Sequence, residues 1–212
     1  QNGEDVYEKL VFKIIDELAE LHHSVYGSQL KLKPIKAIHI GHDEVAGHNK
    51  ETQETLSSLG QAMLPPDLFL SDVIKLNNHI KSKGLRTWMW GDMLVSHEEY
   101  PVMIAKGGGG NGLHGSAYTD SNLFSKIPKD IVINDWHYHQ IAPMFPTALA
   151  FALKGHQVLG ATWIDQETIR YFTDYLANMP SPRAQGMIAT VWAKGWGTID
   201  DIISVSGDAF WN

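Results

Sequence analysis

Five short apolar runs, each parted from the next by a helical stretch, constrain this chain more than any other feature. Residues 35–40, 85–90, 131–136, 157–163 and 187–192 read as strands. Helical stretches are expected over 5–23, from Pro66 through Ile80 to a stop at Gly84, and over 146–154, 165–178 and 198–210. The first carries Val6, Leu10, Ile14, Ile15, Leu18 and Leu21 at helical spacing. Strictly alternating strands and helices imply a parallel sheet with right-handed crossovers, and near-continuous apolar strands imply burial on both faces. Polar and aromatic residues gather just after the strands, at His42-Asp43-Glu44, Gly91-Asp92, Asp135 to His139, Trp163 to Asp165 and Trp192 to Trp196. That is the pattern of an α/β fold of the (β/α)8 TIM-barrel type. Five strands do not close such a barrel, which takes roughly 250 residues.

The paired carboxylates Asp43 and Glu44 follow the first of these strands directly. Inside a strand, neighbours point to opposite faces and a buried acidic pair is costly. At a carboxyl end, where the chain turns through Gly41, both can reach one cleft, as acid chemistry on a bound substrate requires. A solvated acidic turn is the plain structural reading of the same residues.

The chain has 212 residues, 43% of them hydrophobic, enough for one domain over 1–212 with a sizeable core. The net charge of −7, with no long Lys/Arg cluster, argues against nucleic acid and anionic membranes as partners. No apolar run reaches the length of a membrane span. Cysteine is absent, which removes disulfides, thiolate metal sites and Cys nucleophiles. The chain begins at Gln1 with no charged-then-apolar leader, so a processed chain or a piece of a longer one is expected.

With these units in place, the sequence resembles the catalytic barrel of glycoside hydrolase family 20, the β-N-acetylhexosaminidases. His39-Ile40-Gly41-His42-Asp43-Glu44 resembles the family's H-x-G-G-D-E segment on strand four, with His42 for the second Gly. Trp88-Met89-Trp90-Gly91-Asp92-Met93, Asp135-Trp136, Trp163-Ile164-Asp165 and Val191-Trp192 resemble segments of strands five to eight, in order. The resemblance covers nearly the whole chain, as the C-terminal portion of the barrel. It implies a metal-free, cofactor-free glycosidase acting on terminal N-acetyl-β-hexosaminides by substrate assistance. Glu44 would be the general acid and base, and Asp43 would orient the 2-acetamido group. His39, Trp90, Asp92, Trp136, Trp163, Asp165 and Trp192 would contact the sugar. By family analogy alone the setting would be secreted or periplasmic.

Three departures stand out. Trp163 occupies the place of a family Tyr, Lys194 that of a family Glu, and strands one to three with their Arg are missing. They leave open a barrel that holds a glycan without cleaving it. A metal-dependent hydrolase of the amidohydrolase type is a further alternative, from His39, His42 and His48 beside the carboxylates and from His137-Tyr138-His139. Asp165 is equally placed to cap the helix after it. In the long loop over 96–129, Gly107 to Gly110 lacks the Lys-Ser/Thr of a phosphate loop, and His114 and Tyr118 are possible substrate contacts. Two open sheet edges predict a homodimer, or closure by a missing N-terminal half of the barrel.

Overall fold

The computed structural model describes residues 7–31, 33–45, 47–48, 55–56, 64–103, 113–115, 118, 122–140, 144–192 and 199–211. A π-helical turn, Tyr7–Val11, leads into α1, Phe12–His23, and a short α2, Val25–Gln29. Strand β1, Ala37–His39, follows, then a two-residue antiparallel pair, β2 (Gly47–His48) and β3 (Thr55–Leu56). After α3 (Pro66–Ser82) come β4 (Arg86–Trp90), a 3-10 turn at Asp92–Leu94 and the single-turn α4 (Leu123–Lys126). The chain continues as β5 (Val132–Trp136), α5 (Pro146–Leu153), β6 (Gln157–Thr162), α6 (Gln166–Ala177), β7 (Ala184–Ala189) and α7 (Ile199–Trp211). The main sheet runs β1-β4-β5-β6-β7, every neighbouring pair parallel. A five-stranded, all-parallel sheet alternating with helices is compatible with part of a barrel.

Local chemistry sets the helix ends. Pro66 opens α3, its fixed φ suiting the first turn and its missing N–H being one that has no helical partner anyway. Phe69, Val73, Leu76, Asn77 and Ile80 form its buried stripe. Gly84, at φ 72°, reverses the chain, and the Leu85 N–H returns to the Ile80 carbonyl at 3.3 Å. At α6 the Asp165 carboxylate accepts the Thr168 N–H at 2.9 Å, the N-cap bond expected of it.

Strand alternation sorts the sheet into two faces. Met89, Ile133 and Val158 pack toward the helices with Phe69, Phe151 and Phe172, all fully buried. Each such side chain contributes on the order of 2 kcal/mol through removal from water. Trp88, Trp90, Asn134 and Trp136 lie on the other face of the sheet, with Trp88 level with Val132 and Trp90 level with Asn134. Trp88 and Trp90 thus share a face, both half-buried, and Met89 between them is the core residue.

Two expectations are corrected. The last strand is Ala184–Ala189, three residues earlier than 187–192, so Trp192 stands in the loop beyond it. The reason is composition: Ala184, Gln185 and Gly186 carry little apolar side chain, so the first half of β7 leaves no apolar run in the sequence. In α1 the buried residues are Ile15 and Ala19, while Ile14, Leu18 and Leu21 are exposed, as is Leu10 in the turn before it. The helix docks on Leu76, Ile80 and Leu85, and Phe12 stacks on His79 at 3.9 Å, which turns the longer apolar stripe outward.

Candidate active site

The turn after β1 carries the two carboxylates. Its ladder runs on past the strand, with Ile40 N–H donating to Trp88 O and Trp90 N–H to Gly41 O, at 2.9 and 3.0 Å. The chain then turns in left-handed backbone at Gly41 (φ 74°), His42 (69°) and Glu44 (49°). A residue with a Cβ pays about 1 kcal/mol for that conformation, so its appearance twice in three residues marks a constrained, over-determined turn.

Asp92 fixes the turn from the end of β4. Its carboxylate is buried, and Oδ2 accepts the Glu44 N–H at 2.9 Å and the His114 Nδ1–H at 3.0 Å. The His114 N–H donates to the Asp92 carbonyl at 2.8 Å, so loop and strand end are joined twice. With Nδ1 committed to Asp92, the other ring nitrogen of His114 faces Glu44, Nε2 to Oε1 4.0 Å. Asp92 therefore positions both residues from beneath them.

The electrostatics follow from this packing. Burial raises the Glu44 carboxyl above the usual carboxylate range; His114 pulls it back, and the charges of Asp92 and Asp43 push it up again. Asp43 is raised as well, first by burial, with the charge of Asp92 adding to it. For His114, burial disfavours the cation, but the hydrogen bond and charge of Asp92 and the charges of Glu44 and Asp43 outweigh it, and the net direction is up. The Glu44 side chain remains 56% exposed, and the direction of its shift is the one an acid catalyst requires.

Aromatic rings border the carboxylates. His39 lies 4.6 Å from Trp90, and Trp90 lies 6.4 Å from Trp192. Trp136 contacts His114 at 5.4 Å and Tyr138 at 4.9 Å, and Tyr138 stands 6.1 Å from both Trp163 and Trp192. Burial drives the Tyr138 hydroxyl strongly upward against its hydrogen bonds with Thr190 and Trp192, and the charges of Asp43 and Asp92 add to the rise. On the same sheet face as Trp90, and level with it, Asn134 is fully buried with both side-chain amide atoms unpaired among the described residues. A water or a ligand hydroxyl would satisfy it.

Of the residues read from sequence, the structure gathers Asp43, Glu44, Asp92, His39, Trp90, Trp136, Trp163 and Trp192 around this turn and its aromatic border. Asp165 stands two residues beyond Trp163 with Oδ1 committed to its cap. Tyr118 is corrected: it is 2% exposed and its hydroxyl donates to Leu64 O at 2.8 Å, which makes it core. His137 turns to the helix side, fully buried, with Nε2 3.0 Å from Asp135 Oδ1 and from Thr147 Oγ1. Among the described residues no three His, Asp or Glu side chains form a group able to hold a metal. Gly107 to Gly110 and Lys194 lie outside the described residues. The central part of His114 was not legible, since its partners lie 22 and 70 residues away along the chain. Tyr138 has no signal of its own in the sequence, where it stands between two histidines at metal-ligand spacing.

No family model matches the sequence, and no curated protein does. Among solved structures, the X-ray structure of the Flavobacterium johnsoniae chitobiase (FjGH20) aligns over 94% of this chain at 12% identity and a TM-score of 0.39. The chain spans about a third of that protein, 32% of its length.

Proposed function

We propose that this chain is the C-terminal part of a glycoside hydrolase barrel that releases terminal N-acetyl-β-hexosamine residues with assistance from the substrate's own acetamido group. The observation that carries the reading is the turn itself: Glu44, adjacent to Asp43, is held through its N–H by the buried Asp92 carboxylate and faced by His114, with Trp90, Trp136 and Trp192 in the neighbouring ring cluster. Flat rings match the C–H faces of a pyranose, and the polar groups among them suit its hydroxyls.

In this reading the Glu44 proton passes to the glycosidic oxygen as the acetamido carbonyl oxygen attacks C1 and the bond from C1 to the leaving group breaks. Asp43 accepts the acetamido N–H and offsets the positive charge that develops on the cyclised intermediate. The Glu44 carboxylate then takes a proton from water, which opens the intermediate and restores the acid. Tyr138, whose hydroxyl feels Asp43, is the donor nearest in character to the family Tyr that Trp163 replaces.

Calorimetric titration with GlcNAc-thiazoline, a stable mimic of the cyclised intermediate, tests the reading. Binding in the micromolar range or tighter that disappears in Asp43→Ala supports it, and no binding to the chain counts against a working acetamido pocket. A glycan-binding barrel without hydrolysis is the second reading, favoured by Lys194 standing where the family has Glu. Glu44→Gln separates the two: in an enzyme it abolishes hydrolysis of an aryl N-acetyl-β-glucosaminide while thiazoline still binds.

A further inference from the structure

The turn that presents Asp43 and Glu44 holds a histidine in backbone that favours glycine. Gly41 takes φ 74° without penalty, but His42, at 69°, carries a Cβ and a ring. The ring is tied at every side. Its Nδ1–H donates to the Ile40 carbonyl at 3.0 Å, on the strand that enters the turn. Its Nε2 lies 2.8 Å from Asp72 Oδ2 on α3, and the two side chains are 10% and 18% exposed. Its edge packs on the face of the buried Phe69, also on α3, with centroids 5.2 Å apart and planes at 82°.

Each ring nitrogen thus lies at hydrogen-bond distance of an oxygen on a different element, Ile40 O and Asp72 Oδ2. The side chain thus joins strand, turn and helix at one point, immediately before the two carboxylates. A glycine here would adopt the same backbone but could join nothing.

We propose that His42 and Asp72 are a positioning pair: they clamp the left-handed turn to α3 and so hold Asp43 and Glu44 in place over Asp92. Glycine's backbone freedom is replaced at this position by a side-chain clamp. Neither residue touches the substrate. For its catalytic readout the inference rests on the glycosidase reading above; for its structural readout it does not.

Amide hydrogen exchange tests the clamp without any substrate. The Glu44 N–H, which donates to Asp92, reports the order of the turn, and the Met89 N–H in β4 reports the global fold. Asp72→Ala is expected to speed exchange at Glu44 at least tenfold while Met89 stays within twofold. His42→Gly should do the same, and the double variant should be no worse than either single one. Asp72→Asn keeps an oxygen that accepts the ring N–H, so it should recover most of the lost protection.

Unchanged exchange at Glu44 in Asp72→Ala, or additive effects in the double variant, would overturn the proposal. A variant that fails to fold would show itself at Met89, and the Asp72→Asn comparison then decides. Where wild-type chain hydrolyses an aryl N-acetyl-β-glucosaminide, Asp72→Ala should lower kcat about tenfold with KM changed less than threefold. A chain that hydrolyses nothing and binds no thiazoline sinks the glycosidase reading while the exchange result still judges the clamp.

Discussion

Asp92 accepts the backbone N–H of Glu44 at 2.9 Å from a position 48 residues further along the chain. One buried carboxylate thereby sets the place of the proposed acid and, through its bond to His114, the ring that faces it. Asp92→Ala removes both supports. It is expected to lower kcat about 100-fold, with a smaller change in KM and a Glu44 turn that exchanges faster. Steady-state kinetics on an aryl glycoside check this, and an effect confined to KM would show Asp92 to be a substrate ligand instead.

His114 supplies the charge that lowers the Glu44 carboxyl against its burial. Replacing it with Gln removes that influence, so the Glu44 pKa rises further. The protonated acid then persists to higher pH, and the alkaline limb of kcat/KM moves upward. A downward move in the measured pH profile would contradict the assignment.

At the opposite end of the sheet, His156 is fully buried and held neutral. Nδ1–H donates to Ile131 O at 3.1 Å, Nε2 accepts from the Lys129 ammonium at 3.1 Å, and burial first, then the Lys129 and Arg183 charges, lowers its pKa from 6.5 to about 4. The folded chain therefore binds fewer protons here than the unfolded one. Stability is retained above pH 6.5 and lost as pH falls toward 4, by roughly 3 kcal/mol from this group alone. Urea midpoints at pH 7 and pH 4.5 should differ less in His156→Phe than in wild type.

Gly91 ends β4 where two side chains close over it. A Cβ there would lie 2.7 Å from Ile133 Cγ2 and 2.8 Å from Phe151 Cζ. Gly91→Ala should cost about 1 to 3 kcal/mol by overpacking and, because Asp92 is the next residue, reduce activity beyond what the stability loss explains. Thermal melting and kinetics on the same preparation separate the two effects.

The first helix turns Ile14 and Leu18 outward at 47% and 43% exposure, and β1 and β7 each pair on one side alone among the described residues. We expect chains to associate over these surfaces, as a dimer or larger species in sedimentation velocity. Ile14→Lys with Leu18→Lys should shift that distribution toward monomer.

The strands were legible because buried parallel strands leave long apolar runs, and Leu85 to Trp90 or Ile131 to Trp136 say so without context. β7 was misplaced by three residues for the same reason: its true first half, Ala184-Gln185-Gly186, is small and polar. The apolar residues of α1 were legible, but which of them face inward depends on contacts with Leu76 and Ile80 that periodicity does not encode. At the site, the adjacent pair Asp43-Glu44 is a local signal. The support given by Asp92 and His114 is not, since it exists only once β1, β4 and the following loop are brought side by side.

The ring border has an optical consequence. Of seven tryptophans in the chain, Trp90, Trp136, Trp163 and Trp192 stand in this one aromatic cluster, each within 6.4 Å of another ring of it. Four indoles thus emit from beside the turn that carries Asp43 and Glu44, close enough to exchange excitation among themselves. A sugar that displaces water from that cluster changes both the colour and the polarisation of the emitted light. If the proposed function holds, sugar binding there can be followed without a label.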